Sequence, residues 1–285
     1  MVRSRLRLYL ELVRFEHTLF ALPFAYVGLL LAASGRFDAG VWLWVTVAMV
    51  GARTAAMALN RLIDWKIDAL NPRTANRHLP RGLVRPWETL ALALAGFALL
   101  TWSAFHLNAL TARLLPVAVV FLTGYSYTKR FTWTCHLWLG VTIGAAAAGG
   151  WIAQTGRFEP GAYALWAAVA LWIAGFDILY ATQDTEFDRK HGVHALPARF
   201  GLPAALAWAR SLHAAAWLLL IITGRFAGAG PWYFAGVLLV GLVLIYEHRL
   251  VRPDDLSRVN QAFFEANVVI SLGMFAFTLV DALTR

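Results

Sequence analysis

Residues 40–68 read GVWLWVTVAMVGARTAAMALNRLIDWKID, a mostly apolar run that ends in a segment rich in charged side chains. An α-helix needs about twenty apolar residues to cross the hydrocarbon core of a bilayer, and this run is long enough. Arg53 lies near its middle, where a charged side chain is costly and commonly functional. The stretch therefore predicts a membrane-crossing helix with chemistry at one end.

The whole chain has the composition of a membrane protein. Of its 285 residues 60% are hydrophobic and 14% are charged, with a mean hydropathy of +0.60. Ordinary soluble domains are about one-quarter charged. The net charge of +9 is spread over short loops between apolar runs and forms no single basic patch, so nucleic-acid binding is not expected. The single cysteine, Cys135, excludes an internal disulfide and any site with several cysteine ligands.

Apolar runs of spanning length predict nine transmembrane helices. The first run follows a basic start, as in a signal peptide, but it lacks a small-residue cleavage site and is predicted to be the first span. Basic residues collect in alternate loops, so the positive-inside rule places the N-terminus and the longer loops in the cytoplasm and the C-terminus outside. The predicted spans are 18–34, 40–59, 87–105, 109–125, 136–153, 161–181, 204–223, 231–246 and 263–283.

An acidic motif lies at the predicted cytoplasmic end of the second span. Asn60, Asp64 and Asp68 recur every four residues, and each step of four rotates a helix by only about 40°. The three side chains are therefore predicted to line one helical face over roughly 12 Å. One reading is a solvated helix end with its charges in the cytoplasm.

A second acidic motif ends the sixth span. Asp177, Asp184 and Asp188 follow a spacing of seven and then four, again on one predicted face. Carboxylates stacked in this way destabilise a helix unless positive charge lies between them. Mg²⁺ binds through one or two carboxylates together with substrate phosphates. Two such motifs, if they face each other, predict a magnesium site for a diphosphate.

The two motifs also indicate a weak internal repeat. The seven-then-four spacing of the second motif runs through Arg53, Asn60 and Asp64 in the first, and each motif is followed by a basic loop that contains Leu-Pro. Duplicated halves with a site at their interface also occur in transporters, so a transporter with an acidic cation site is an alternative at this point. The predicted pseudo-repeats of four helices are roughly 15–130 and 131–248, with an appended ninth helix at 263–283.

The sequence resembles the UbiA superfamily of intramembrane aromatic prenyltransferases over nearly the whole chain. Its first motif, Asn-x3-Asp-x3-Asp, begins at Asn60, although Arg61 replaces the aspartate that is common at the second position. Its second motif, Asp-x2-Tyr-Ala-x2-Asp-x3-Asp, begins at Asp177. The segments DALNPRT at 68–74, YSYTKR at 125–130 and FEHT at 15–18 are also typical of the family.

The resemblance implies the fold, the reaction and the roles of individual residues. The fold would be an all-α membrane protein, a single polytopic domain over 1–285 with its helices around a central cavity. The reaction would be Mg²⁺-dependent transfer of a polyprenyl group from a prenyl diphosphate to an aromatic acid. The implied magnesium ligands are Asp64, Asp68, Asp184 and Asp188. The implied diphosphate-binding residues are Asn60, Arg73, Lys129, Arg130, Tyr125 and Tyr127. The implied catalytic and acceptor-pocket residues are Asp177, Tyr180, Arg53 and His17.

The acceptor is left open between two carboxylated phenols. The resemblance to the 4-hydroxybenzoate polyprenyltransferase-like branch favours 4-hydroxybenzoate. The Asn60-Arg61 pair and the FEHT opening are also similar to enzymes that prenylate 1,4-dihydroxy-6-naphthoate in the futalosine route to menaquinone. A phosphoalcohol transferase would carry an Asp-x2-Asp-Gly-x2-Ala-Arg signature, which the sequence lacks. The protein is expected in the cell inner membrane among lipids, with no nucleic acid and no obligate protein partner.

Several polar residues outside the motifs are assigned structural roles. The eight histidines show no His-Glu-x2-His spacing, so a zinc site is not expected. His78 and His194 follow the two motifs, where solvation in a loop is favoured over phosphate contact. Glu265 and Asn267 lie inside the last span and are expected to make hydrogen bonds between helices.

Overall fold

The computed structural model of the protein describes residues 5–14, 18–33 and 37–285, with the side chain of Leu19 left out. His17 and the other residues of 15–17 lie outside this range, so the role predicted for His17 stays a prediction. The described chain is helical apart from loops and one isolated bridge between Arg252 and Asp255. Its helices are α1 (Arg5–Leu12), α2 (Thr18–Ala33), α3 (Ala39–Leu70), α4 (Pro86–Leu107), α5 (Ala109–Thr128), α6 (Cys135–Thr155), α7 (Pro160–Ala181), α8 (Thr185–His191), α9 (Leu196–Phe200), α10 (Leu202–Phe226), α11 (Pro231–Leu250), α12 (Val259–Gln261) and α13 (Asn267–Thr284).

Eight of the described helical segments are long and apolar enough to cross a membrane. They correspond to the second to ninth predicted spans, and the all-helical membrane fold is confirmed. The helix at the first predicted span, α2, has 16 residues, fewer than the about twenty that cross a bilayer without tilt or thinning. The count of nine spans is therefore not confirmed within the described residues.

The chain forms two compact units. One consists of Met1–Thr18 and Leu43–Tyr127, and the other of Leu19–Trp42 and Thr128–Arg285. The second unit therefore combines α2 with the helices from α6 onwards. The predicted pseudo-repeats stay a prediction.

Helices of the first unit pack through small residues and a short apolar cluster. A side chain at Gly51 would lie 2.7 Å from the carbonyl oxygen of Gly96, so α3 and α4 approach closely only because both positions lack a Cβ. Close contact between small residues is a common way for helices to associate in a membrane. The N-terminal helix α1 joins this unit through a buried cluster of Leu12, Val13, Leu79 and Val84.

Glu88 connects α1 with the start of α4. Its Oε2 accepts a hydrogen bond from the backbone N–H of Arg85 at 2.7 Å, which satisfies a free donor at the helix N-terminus. Its Oε1 accepts from Tyr9 Oη at 3.0 Å and from Arg5 Nη1 at 2.8 Å. The hydrogen bond to this carboxylate is the largest influence on the pKa of Tyr9 and raises it above the usual value. Glu88 therefore holds α1 by polar contacts.

In the second unit, α6 and α7 pack along a face of small residues. Side chains at Gly140 and Gly144 would collide with the backbone of Ala170. Gly150 makes a similar close approach to the backbone of Ala25 in α2. These contacts place α2, α6 and α7 side by side and position the residues at the ends of α6 and α7.

The start of the last long helix contains a π-helical turn, Ala262–Ala266. Asn267, which follows it, is fully buried, and its Nδ2 donates to the carbonyl oxygen of Phe263 at 2.9 Å. Its Oδ1 accepts from Trp172 Nε1 of α7 at 2.8 Å. The expected hydrogen bond between helices is thus confirmed for Asn267, whereas Glu265 accepts from Gln261 of the neighbouring turn.

Candidate active site

The first acidic motif lies on the last turns of α3, which continues beyond the predicted end at residue 59 to Leu70. Asp64 is 1% exposed and Asp68 is 5% exposed. Asn60 Nδ2 donates to Asp64 Oδ2 at 2.9 Å and to Ser126 Oγ of α5 at 3.2 Å. The predicted helical placement of all three motif residues is confirmed. The amide of Asn60 fixes one carboxylate oxygen of Asp64.

Asp68 is paired with an arginine that the sequence did not single out. Arg77 Nη1 lies 2.7 Å from both carboxylate oxygens of Asp68. Thr74 Oγ1 donates to the backbone carbonyl oxygen of Asp68 at 2.9 Å and closes the turn that brings Arg77 back to the helix end. Arg73, the loop arginine expected to bind the diphosphate, has an exposed side chain, and its backbone N–H donates to Asn71 Oδ1. Arg77 lies farther from the motif along the chain than Arg73 does, and its sequence context carried no signal that separated it from the other loop arginines.

Two arginines of α3 donate to backbone carbonyls at the end of α1. Arg61 Nε lies 3.4 Å from the oxygen of Leu12, and Arg53 Nη2 lies 3.3 Å from the oxygen of Arg14. Cations are favoured at a helix C-terminus, where the last carbonyls lack partners within the helix. Arg61, the residue that departs from the first motif of the resembled family, thus contacts the end of α1. The role predicted for Arg53 toward an acceptor carboxylate stays a prediction.

The predicted diphosphate-binding tyrosines lie near the end of α5. Tyr125 Oη donates to the carbonyl oxygen of Ala56 in α3 at 3.4 Å. Tyr127 is 42% exposed, and between the two Ser126 is buried and receives the hydrogen bond from Asn60. Tyr125 and Ser126 therefore lie near the first acidic motif, and Tyr127 is more open.

The second acidic motif differs from the single helical face that the spacing predicts. Helix α7 ends at Ala181, a 3-10 turn covers Thr182–Asp184, and α8 begins at Thr185. Thr182 Oγ1 donates to the carbonyl oxygen of Leu179, and Thr185 Oγ1 donates to that of Thr182. Short hydroxyl side chains compete in this way with the regular helical bonds, which explains the tightened turn. Asp188 is buried at 8% exposure, and Asp184 is partly exposed.

Asp177 is bound by a histidine that sequence reasoning missed. Its Oδ2 lies 2.7 Å from His136 Nδ1 at the start of α6. The backbone N–H of Leu196 donates to the other ring nitrogen, His136 Nε2, at 3.2 Å. His136 is 4% exposed, and the Asp177 side chain is 26% exposed. No spacing relates His136 to the acidic motif along the chain, because α6 and α7 bring the two together only in the fold.

The segment after the second motif is attached to the start of α6. The N–H of His194 donates to the carbonyl oxygen of Lys129 at 2.7 Å, and Cys135 Sγ donates to the carbonyl oxygen of His194 at 3.2 Å. These contacts use only backbone atoms of His194 and Lys129 and do not involve the side chains of these two residues. Arg130 is exposed. The predicted basic residues Lys129 and Arg130 thus belong to the unit that carries the second motif.

Tyr180 lies against an aromatic cluster. Its ring centroid is 4.2 Å from that of Phe263 in the π-helical turn. Phe263 also contacts Phe176 at 5.4 Å and Phe20 at 5.5 Å, both edge to face. Aromatic faces stabilise a nearby cation, so the cluster has the chemistry to bind a cationic or unsaturated hydrocarbon group.

The acidic residues have the donor chemistry for magnesium. Among residues 5–14, 18–33 and 37–285, no set of three or more His, Cys, Asp or Glu side chains is close enough to hold a metal ion by itself. Mg²⁺ typically takes one or two carboxylates and completes its shell with water and phosphate oxygens. Asp64 and Asp68, one helical turn apart and offering only oxygen, fit this requirement.

A scan against family models matches residues 21–275 to the UbiA prenyltransferase family. The chain belongs to this family. Because the family is one of prenyl-transferring enzymes, the transporter alternative is not supported. This UbiA-family prenyltransferase is a multi-pass membrane enzyme.

Among curated relatives it is 31% identical over 290 residues to a protein of Nitrosomonas europaea, covering 99% of this chain and 97% of the relative. It is 28% identical over 281 residues to one of Vibrio atlanticus, covering 96% and 99%. Both relatives are named 4-hydroxybenzoate octaprenyltransferase.

Solved structures agree with the family assignment. This UbiA-family prenyltransferase is 37% identical to a UbiA homolog from Aeropyrum pernix in its apo form, with a TM-score of 0.85 over 93% of this chain and 98% of the other. A UbiA homolog from Archaeoglobus fulgidus bound to GPP and Mg²⁺ has the same fold, with a TM-score of 0.78, 19% identity and coverage of 98% and 100%.

Proposed function

We propose that this prenyltransferase transfers a polyprenyl group from a prenyl diphosphate to 4-hydroxybenzoate, with Mg²⁺ as cofactor. The observation that carries the proposal is the first acidic motif, in which Asp64 and Asp68 are buried at the end of a membrane helix and held by Asn60 and Arg77. The acceptor is proposed from the relatives, which match nearly the whole chain and are named for that reaction.

The proposed magnesium ligands are Asp64 and Asp68 of the first motif and Asp184 and Asp188 of the second. Mg²⁺, when bound, supplies the positive charge that stabilises a departing diphosphate. Asn60 orients Asp64 through the hydrogen bond from its amide. The proposed phosphate donors and cations are Arg73, Arg77, Lys129, Arg130, Tyr125 and Tyr127, which oppose the negative charge that develops on the leaving group.

The transfer itself exchanges one bond for another. The C–O bond between the prenyl carbon and the diphosphate breaks, and its electron pair leaves with the diphosphate. A C–C bond forms at the ring carbon ortho to the acceptor hydroxyl, and that carbon releases its proton. Asp177 is proposed to accept this proton or to stabilise the allylic cation, with Tyr180 presenting its ring to the same cation. Arg53 is proposed to bind the acceptor carboxylate.

A second acceptor, 1,4-dihydroxy-6-naphthoate, is favoured by the Asn60-Arg61 pair in place of the common Asn-Asp.

We assign the enzyme to the cell inner membrane. The distribution of basic loops places the N-terminus and the acidic motifs on the cytoplasmic side and the C-terminus outside. The prenyl tail would then extend toward lipid.

A turnover assay tests the proposal. Membranes that contain the enzyme are incubated with farnesyl diphosphate, Mg²⁺ and either acid, and the prenylated product is identified by mass spectrometry. Product with 4-hydroxybenzoate, lost on addition of EDTA and absent with the Asp64→Ala variant, is expected. If product forms with the naphthoate alone, 1,4-dihydroxy-6-naphthoate and not 4-hydroxybenzoate is the acceptor. If folded protein gives no product with any phenolic acid, the proposal is overturned.

A further inference from the structure

The two hydrogen bonds of the His136 ring, to Asp177 and from Leu196, indicate which ring nitrogen carries the proton. The N–H of Leu196 donates to His136 Nε2, so this nitrogen carries a lone pair and no proton. The proton of the neutral ring is therefore on Nδ1 and is donated to Asp177 Oδ2 at 2.7 Å. A doubly protonated ring would set two donors against each other at the 3.2 Å contact with Leu196. In this hydrogen-bond pattern the ring donates from Nδ1 to Asp177 and accepts at Nε2 from Leu196.

The same contact leaves the second oxygen of Asp177 available. Within the described residues Asp177 Oδ1 makes no hydrogen bond, and the Asp177 side chain is 26% exposed, whereas the His136 side chain is buried. A carboxylate with one oxygen fixed by a buried ring has a defined orientation. Such an arrangement suits a group that accepts a proton or stabilises a cation, because rotation away from the substrate is suppressed.

The ring also connects Asp177 to the chain that follows the second acidic motif. Leu196 begins α9, and Ala195, just before it, has an extended backbone with φ −104° and ψ 152°. His194 of the same segment is attached to Lys129 and to Cys135, next to His136. Residues 194–196 are therefore held by two hydrogen bonds to the start of α6 and by one to Lys129 before it, and one of the two ends on the ring that orients Asp177.

We propose that His136 is a positioning residue of the transfer reaction: it holds the Asp177 carboxylate in one orientation and links it to the backbone of Leu196. The proposal rests on the proposed function only in giving Asp177 a part in the reaction. His136 itself does not contact the substrate in this scheme. Its effect is exerted through Asp177, so it should appear in the turnover rate and not in substrate binding.

Two substitutions separate the two hydrogen bonds of the ring. The amide nitrogen of an asparagine occupies the δ position of His136 Nδ1, so His136→Asn keeps a donor for Asp177. The amide oxygen of a glutamine reaches the ε position, so His136→Gln keeps an acceptor for Leu196 but has no donor at the δ position that faces Asp177. We expect His136→Gln to lower kcat by about tenfold or more with the KM of both substrates within about threefold, and His136→Asn to stay within about threefold of wild type in kcat. Equal losses in both variants, or a loss confined to KM, would overturn the proposal.

A double-mutant cycle tests whether the effect passes through Asp177. In the Asp177→Asn background the donor of His136 has no carboxylate to orient, so adding His136→Gln should lower kcat by less than about twofold further. Full additivity of the two losses would show that His136 acts independently of Asp177 and would contradict the proposal.

Nitrogen NMR of the histidine rings gives a result that does not depend on activity. In ¹⁵N-histidine-labelled protein, the signals that disappear in His136→Asn belong to His136, and we expect a protonated Nδ1 and an unprotonated Nε2. Leu196→Pro removes the N–H donor at a position where proline suits the backbone, as the first residue of a helix after an extended residue. Leu196→Ala is the matched control, because it removes the same side chain and keeps the N–H.

We expect Leu196→Pro to shift the His136 ring toward protonation at Nε2, and Leu196→Ala to keep the wild-type pattern. A wild-type ring protonated at Nε2 would overturn the assignment. If the NMR result holds but no acceptor is prenylated, the proposed function fails while the His136–Asp177 arrangement stands, so the two failures are distinguishable.

Discussion

One guanidinium nitrogen of Arg77, Nη1, lies 2.7 Å from both carboxylate oxygens of Asp68. Asp68 is almost wholly buried, and the Arg77 side chain is 23% exposed. The arginine thus neutralises a carboxylate that is also a proposed magnesium ligand. A cation that binds Asp68 must share it with Arg77 or displace it.

Replacing Arg77 by methionine should therefore lower the stability without magnesium and increase the stabilisation that magnesium gives. Without Mg²⁺ the buried carboxylate loses its counter-ion, and we expect a lower unfolding midpoint, equivalent to about 1–3 kcal/mol. With Mg²⁺ the variant should gain more in thermal stability than wild type does, because nothing competes for Asp68. Differential scanning fluorimetry in detergent measures both midpoints. Arg73→Met, which removes an exposed side chain from the same loop, is the control. An equal magnesium response in wild type and Arg77→Met would exclude competition.

Each acidic motif should be required for transfer on its own. We expect Asp64→Ala and Asp184→Ala each to lower kcat by about a hundredfold or more, since either change removes a ligand of the metal that stabilises the leaving group. Product formation under saturating substrates measures this. Glu186→Ala removes an exposed carboxylate next to the second motif and should leave the rate within about twofold. Ordinary activity in either aspartate variant would contradict the paired-motif mechanism.

Arg53 and Arg61 offer a matched pair for the acceptor site. Both donate to backbone carbonyls at the end of α1, so either substitution by methionine loses one such contact. Only Arg53 is proposed to bind the acceptor carboxylate, so Arg53→Met should raise the KM for 4-hydroxybenzoate by about tenfold or more and leave the KM for prenyl diphosphate unchanged. Steady-state kinetics with each substrate varied in turn measures both constants. If Arg61→Met raised the KM for 4-hydroxybenzoate by the same factor, the effect would come from the lost contact with α1 and not from the acceptor carboxylate.

Asn267 should be important for stability. It is fully buried, accepts from Trp172 Nε1 and donates to the carbonyl oxygen of Phe263. Asn267→Leu leaves Trp172 Nε1 without its acceptor and removes the amide donor to the Phe263 carbonyl, and we expect a loss of about 1–3 kcal/mol in the free energy of unfolding. Trp172→Phe removes the donor of the Trp172–Asn267 hydrogen bond. The double variant should therefore lose less stability than the sum of the losses in the two single variants. Reversible unfolding in mixed micelles measures these values, and strict additivity would mean that the bond contributes nothing.

The Tyr9–Glu88 hydrogen bond predicts a pH dependence at the alkaline end. The bond to the Glu88 carboxylate raises the pKa of Tyr9 in the folded state, so the protonated phenol is favoured by folding. Its contribution is fully present below the pKa of the unfolded state and is lost as pH rises through the folded pKa. Spectrophotometric titration of wild type against Tyr9→Phe should show this tyrosine ionising above the usual value of 10.0. Ionisation at or below that value would contradict the contact.

The sequence predicted the parts of the fold that depend on the length of the apolar runs and on the spacing of the motif residues. The spans from the second onward coincide with long helices, and the first motif lies on one of them as predicted. The ends of the helices were predicted too short, because charged residues end an apolar run without ending a helix. Helix α11 shows this: it continues past residue 246 to Leu250 and buries Glu247 completely.

The partners of the motif residues could not be predicted, because they depend on tertiary packing. His136 is far from Asp177 in sequence and reaches it only because glycines let α6 lie close to α7. In the sequence Arg77 is one of several loop arginines, and only the turn at Thr74 directs it toward Asp68. The 3-10 turn at Thr182–Asp184 depended on hydroxyl groups competing for carbonyls, which residue spacing does not encode.

The attachment of α1 has a consequence for how this enzyme varies among its relatives. Arg53 and Arg61 recognise carbonyl oxygens of the main chain, and every amino acid supplies one. The contact from Arg53 therefore does not depend on the side chain at position 14, whereas an inserted or deleted residue in α1 would move both carbonyl oxygens out of reach of Arg53 and Arg61. At these two contacts the length of the N-terminal segment matters and the identity of the contacted residue does not, which a comparison scored on residue identity would overlook.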